Sequence, residues 1–278
     1  MRVLDSVAWF LYTFLLIIIH TISLSVSAGI MAINLREHLS RSMEIREILI
    51  ADLILILAFD LTIVGGVSTL RTSWPMFLYF LPIAALAVTL SFVLHELMHK
   101  FVAQRFGAVA AFMRSQMGTV ITLITALFGF LIGIPGATVI YTNNFTREEE
   151  GWVSLAGPLT NFAVFLVFFG MGIVLYPHFI TNIISTLTPY YQSNSYLQNA
   201  INFTLFISIL LAFFNMLPIY PLDGSKILRW NKFFYGALVL AIFFLFITFI
   251  PIYALLIDMA FWLVIAFFFS MLYRGIGL

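Results

Sequence analysis

The sequence predicts an all-α polytopic membrane protein of about seven transmembrane helices, with one re-entrant or β segment at about 118–142. Three observations lead there. Of the 278 residues, 63% are hydrophobic and only 9% charged, against about 25% charged in an ordinary soluble domain; so few charges cannot cover a water-facing surface. Several runs reach the ~20 apolar residues that cross a bilayer. One apolar run, 118–141, breaks the pattern: it is rich in glycine and β-branched residues and is interrupted at Pro135-Gly136.

The spans are expected at about 7–33, 48–67, 75–104, 153–176, 200–218, 233–250 and 252–272. The first is too long, and lacks the small-residue site, for a cleavable signal peptide. Asp60 and His20 fall within early spans, where hydrogen bonding between helices is expected. Orientation follows from the basic residues, which favour the cytosolic side. With the amino terminus outside and 118–141 not crossing, eleven of the thirteen Lys and Arg face the cytosol. If 118–141 crossed, the later basic loop would land outside, so the charges favour a re-entrant or partly β segment. Non-helical backbone at that depth needs a protein or water-lined cavity to satisfy its amides.

The acidic cluster Glu148 to Glu150 precedes the fourth span and reads as a solvated loop or helix start. The stretch 177–199 is the longest outside loop and carries no Lys, Arg, Asp or Glu. Cysteine is absent, which excludes disulfides and thiolate metal sites. The net charge of +1 points to no particular partner, and no nucleic-acid partner is expected. Only short loops are expected outside the membrane, with no PDZ-like or other soluble appendage.

The third span ends in His95-Glu96-Leu97-Met98-His99, the pattern H-E-x-x-H. On a helix, residues four apart share a face, so His95 and His99 can direct imidazole nitrogens at one Zn²⁺. Glu96 is then placed to reach a metal-bound water whose pKa falls towards ~7. Two helix-end histidines bonded to neighbours are the competing reading. Chance occurrence is on the order of a few in a thousand for a chain of this composition, and ionisable groups inside a membrane are costly unless functional. Counting from Leu78, His95 lies about 25 Å into its span, nearer the cytosolic face.

A catalytic zinc takes three protein ligands and keeps one open position. No glutamate follows residue 150, and the one histidine after His99 is His178, in the outside loop. Two downstream carboxylates remain. Asp258 sits near the outer end of the last span, the wrong side, and reads as a polar contact between helices. Asp223 lies in "FNMLPIYPLDGSK" at the cytosolic end of the fifth span, at the depth of the histidines. There Pro218 and Pro221 break the helix and Gly224 permits a sharp turn. Asp223 is therefore the expected third ligand of a single zinc.

With both motifs in hand, the chain resembles the site-2 protease family of intramembrane zinc metalloproteases, in its archaeal and bacterial type without a PDZ or CBS domain. The resemblance rests on H-E-x-x-H at 95–99, "AGPLTN" at 156–161 and N-x-x-P-x-x-x-x-D-G at 215–224. It covers about 80 to 235, and one departure is that proline falls at 221 where the family often has it at 220. It implies His95, His99 and Asp223 as zinc ligands and Glu96 as general base. Asn215 is similar to the asparagine that orients the substrate strand or stabilises the oxyanion; a helix-end amide bonded to backbone is the even alternative. Asn161 is the weaker match, since an asparagine near a helix start is more often structural. The segment "GATVIY" resembles the family's β region, which could pair with an unwound substrate by strand addition.

The expected activity is hydrolysis of peptide bonds within or near transmembrane segments, in a multi-pass cell membrane with the site near the cytosol. The expected organisation is two amino-terminal helices (1–74), a catalytic core (75–232) and two carboxy-terminal helices (233–278). A membrane zinc transporter and an inactive homologue acting as adaptor are the alternatives. The first needs ligands spread across the bilayer, whereas these cluster at one depth; the second conflicts with a complete set of ligands and base.

Overall fold

A computed structural model describes residues 41–133, 135–142, 145–179 and 195–249. The expected spans 7–33 and 252–272, with His20 and Asp258, lie outside the described residues. The described part is helical apart from one two-stranded sheet. Helix α1 is Arg41–Ile63. It stops because Gly65 and Gly66 take φ of 85° and 84°, a region that side chains with a Cβ rarely enter. A Cβ on Gly66 would lie 2.5 Å from the Leu127 carbonyl oxygen, so this glycine is what lets α1 end against the turn that follows 127. A single helical turn, α2 (Val67–Leu70), follows.

Helix α3 runs unbroken over Trp74–Arg105. Proline in its first turn suits a position where no amide partner exists. The stretch Thr89–Val93, directly before the H-E-x-x-H residues, winds as a π-helix. An added residue per turn re-aims every side chain that follows, and such insertions recur at functional sites.

Strand β1 (Val109–Arg114) pairs antiparallel with β2 (Gly136–Tyr141), from Val109↔Tyr141 to Arg114↔Gly136. Between them lies α4, Gln116–Leu127, started by Ser115, whose Oγ accepts from the Gly118 amide at 3.0 Å. Twelve residues at ~1.5 Å each reach only about 18 Å, too short to cross. The apolar run at 118–141 is thus helix over 118–127 and strand over 136–141. "GATVIY" is a strand as expected, whereas 118–127 is helical, and β1 is an element the sequence did not announce. The returning chain is satisfied by α4 itself: the Ile132 amide donates to Thr125 Oγ1 (3.1 Å) and Thr122 Oγ1 donates to the Ile132 carbonyl (3.0 Å).

Helix α5, Arg147–Leu175, opens with a capping box between Thr146 and Glu149, two orphan donors satisfied reciprocally. Glu148 to Glu150 form its first turn, where carboxylates favour the helix dipole. The helix starts earlier than the expected 153, so Asn161 stands mid-helix and caps nothing. Helix α6 is Tyr196–Asn215, α7 is Asp223–Trp230 and α8 is Lys232–Phe249.

Among the described residues, the two larger of three apolar clusters hold the bundle. One joins α1, α3 and α6 through Leu55, Phe80, Ile83, Ala84, Phe203 and Ile207. Ala84 and Ala87 are fully buried, the small-residue contact that lets membrane helices approach closely. The other joins α5 to α8 around Phe165, Ile209, Ala212, Ile227 and Ile242. Ser91 and Ser208 share a hydrogen bond of 2.9 Å between α3 and α6. Asp60 departs from expectation: it is fully buried, and neither carboxyl oxygen has a hydrogen-bond partner among the described residues.

Among the described residues, α3, α5 and α6 are long and apolar enough to cross a membrane. The outward side chains of α5 include Leu159, Leu166, Val167 and Val174, a surface suited to lipid. Helices α1 and α8 overlap two further expected spans, 48–67 and 233–250, α1 beginning and ending earlier than expected.

Candidate metal centre

His95 and His99 lie one turn apart on α3, and Asp223 is the first residue of α7. The chain brings the three together by turning back at the end of α6. Helix α6 stops at Asn215, Leu222 is extended, and the Tyr220-Pro221 peptide is cis. A Cβ on Gly224 would sit 2.2 Å from the Met216 carbonyl oxygen, so glycine is required for the returning loop to lie against the helix it left. That contact holds Asp223 at the depth of the histidines.

His95 Nε2 and His99 Nε2 are 3.0 Å apart, and Asp223 Oδ2 lies 3.4 Å and 3.2 Å from them. A tetrahedral ion with ligands at ~2.0–2.1 Å places its donors about 3.3–3.4 Å apart, so this triangle fits a zinc ion. All three residues are over nine-tenths buried. Among the described residues, these three form the group of histidine and carboxylate side chains that could hold a metal ion.

The outer contacts set the imidazole tautomers. His99 Nδ1 stands 2.7 Å from the Val153 carbonyl, which can only accept. The proton is therefore on Nδ1, and the Nε2 lone pair faces the centre. His95 Nδ1 stands 3.2 Å from the Asn161 side-chain amide, whose Oδ1 is buried with no partner among the described residues. A half-turn of that amide gives Oδ1 the His95 Nδ1 proton and resolves both groups. Hydrogen-bonded partners of this kind orient metal-binding histidines. Replacing Asn161 with alanine should weaken zinc affinity by about 10–100-fold, read by competition against a fluorescent chelator.

Sequence reasoning ranks Asn161 as the weaker match and passes over Gly157 altogether. A Cβ on Gly157 would lie 2.4 Å from His99 Nε2 and 2.5 Å from His95 Nε2. Only glycine leaves the donors room on the α5 side. The signal was present as the glycine of "AGPLTN", four residues before Asn161 on the same helix face.

Glu96 is buried beside the triad, and its Oε2 accepts from the Thr138 amide at 2.7 Å. Thr138 Oγ1 donates to the Glu96 carbonyl at 2.9 Å. Strand β2 is thereby docked against the helix that carries His95 and His99. Asn215 stands apart from these contacts: its Nδ2 donates to the Leu211 carbonyl of its own helix at 3.0 Å, the helix-end arrangement weighed above. Lys100, next to His99, pairs with Glu44 of α1.

Residues 83–231 match the model of peptidase family M50. The chain is 35% identical over 206 residues to MJ0611 of Methanocaldococcus jannaschii, named as a candidate zinc metalloprotease; the match covers 73% of this chain and 94% of that one. It is 25% identical over 168 residues to YwhC of Bacillus subtilis, also named as a candidate zinc metalloprotease, covering 55% and 72%. A zinc metalloprotease of M. jannaschii, MJ0392, matches at 25% over 175 residues, 61% of this chain and 38% of that one. No solved structure gives a significant match.

Proposed function

From the premise that this chain belongs to peptidase family M50, the site-2 proteases, we infer that it is a zinc endopeptidase cleaving membrane proteins within or near their transmembrane segments. The observation that carries the reading is the donor triangle of His95, His99 and Asp223, at spacings of 3.0 to 3.4 Å, with Glu96 beside it. The relatives named as zinc metalloproteases identify the metal.

A zinc ion held by His95, His99 and Asp223 would supply a Lewis acid able to polarise a peptide carbonyl and to acidify a water. The chain's own groups do the rest. Glu96 removes the proton from the attacking water and returns it to the leaving nitrogen. Val153 and Asn161 keep both imidazoles aimed inward. Asn215 serves the substrate strand or the oxyanion once its amide leaves the Leu211 carbonyl. A helical peptide bond is shielded by its own hydrogen bonds, so the substrate unwinds and pairs along β2. The spans α1 and α8, with 7–33 and 252–272, complete a seven-helix protein in the cytoplasmic membrane. Its catalytic core is 75–232, flanked by 1–74 and 233–278, and water enters from the cytosol.

The test is cleavage of a single-span reporter in proteoliposomes by the purified protein. Stripping the metal with a chelator should abolish cleavage, and stoichiometric zinc should restore it. Zinc entry into the vesicles without peptide cleavage would instead establish a transporter.

A further inference from the structure

We propose that the resting protein holds its general base on the same strand edge that receives substrate, so that strand docking itself releases Glu96. The proposal rests on the protease reading above.

Phe112 and Thr138 face each other in the β1–β2 register, yet both amides point away from the ladder. The Phe112 amide donates to Glu44 Oε1 at 3.0 Å and the Thr138 amide to Glu96 Oε2 at 2.7 Å. In an antiparallel pair this is the non-hydrogen-bonded position, where amides serve the outer edges. Each edge of the sheet is therefore capped by a glutamate, but the two caps differ in kind. Glu44 is also paired with Lys100 and belongs to α1, so the β1 edge is closed for good. The β2 edge is closed by the one carboxylate that hydrolysis needs free. No residue of β2 is fully buried.

Thr138 Oγ1, bonded to the Glu96 carbonyl, fixes strand and helix in register, which makes Thr138 a positioning residue. The next outward amide along the edge is that of Ile140. Ile140 lines a cavity of about 370 Å³ with Thr142, Glu150, Ser154 and Lys226. A segment pairing at 138 and 140 would run from the metal-binding residues into that cavity. The Thr138 amide makes one strong hydrogen bond, so a substrate carbonyl and Glu96 compete for it. Pairing frees the carboxylate only when a strand is in place, which keeps the empty site from activating water unproductively.

The test compares two inactive, zinc-loaded full-length variants in lipid vesicles, with a labelled single-span reporter as ligand. Glu96→Gln still accepts from Thr138; Glu96→Ala cannot, and both remove the charge equally. Glu96→Ala should bind the reporter about three- to tenfold more tightly, the equivalent of one hydrogen bond that no longer has to break. Its Thr138 amide should also exchange with solvent faster. Equal or weaker binding by Glu96→Ala overturns the coupling, since a purely structural tether would loosen the strand and lower affinity. If alanine costs the protein its zinc, Glu96→Leu repeats the comparison. The binding measurement needs no turnover; failure of wild-type cleavage would sink the protease reading, while the coupling stands or falls on the affinities.

Discussion

Glu96→Gln should lower cleavage of the reporter by about a hundredfold to ten-thousandfold, the range a positioned general base contributes, while zinc stays at one ion per chain. The two halves of this result come from separate features. The donors facing the centre are His95 Nε2, His99 Nε2 and Asp223 Oδ2, and Glu96 is not among them. Its replacement leaves the triangle, the Val153 bond and the Asn161 bond intact. The substituted carboxamide still accepts from the Thr138 amide, so strand β2 keeps its place and substrate affinity should change little. What is lost is the acceptor for a water proton, which shows in kcat rather than KM. Metal analysis and single-turnover cleavage on one preparation separate the effects. Normal cleavage by this variant would mean that the base lies elsewhere; loss of zinc would mean that Glu96 is a ligand.

The second large effect is expected from the smallest possible change. Gly157→Ala should abolish zinc binding and, with it, activity. The added methyl would stand 2.4 Å from His99 Nε2 and 2.5 Å from His95 Nε2, well inside contact distance and in the space beside both donors. Helix α5 cannot retreat cheaply, because it packs through Phe165 and Leu155 against the α6–α8 cluster. Ion and methyl therefore compete for one place. Gly170→Ala on the same helix meets nothing within 4 Å, and there alanine gains helix propensity of up to ~1 kcal/mol. That variant should keep full zinc and cleavage. A Gly157→Ala protein with one tightly bound zinc would show that the ion sits away from α5, and would end the assignment of this cradle.

These expectations divide by the range of the interactions behind them. The pair His95 and His99 was legible because residues four apart on one helix meet whatever surrounds them. The basic-residue count announced a re-entrant or partly β segment over 118–141, and the strand within it, 136–141, was expected from the family resemblance of "GATVIY". Asp223 was reached by elimination, since few carboxylates and histidines follow residue 99. Strand β1 was not legible: six residues ending at Arg114 show only a brief alternation, and what makes them a strand is a partner over twenty residues away. The start of α5 was placed too late because its charged first turn resembles a loop until the Thr146 cap is recognised.

Residue order is enough to predict spans long and apolar enough to cross a membrane, to put two imidazoles on one helix face, and to single out the carboxylate that the fold brings against them. Solvation and helix periodicity decide these within a few turns of chain. Packing between elements decided the rest: Gly157 makes room for the donors, Asn161 and Val153 fix the imidazoles, Asn215 bonds to its own helix, and Thr138 holds Glu96. Each of these depends on how closely two separate elements approach, a distance of a few ångströms set by the sum of many side-chain contacts across the bundle and written in no local stretch.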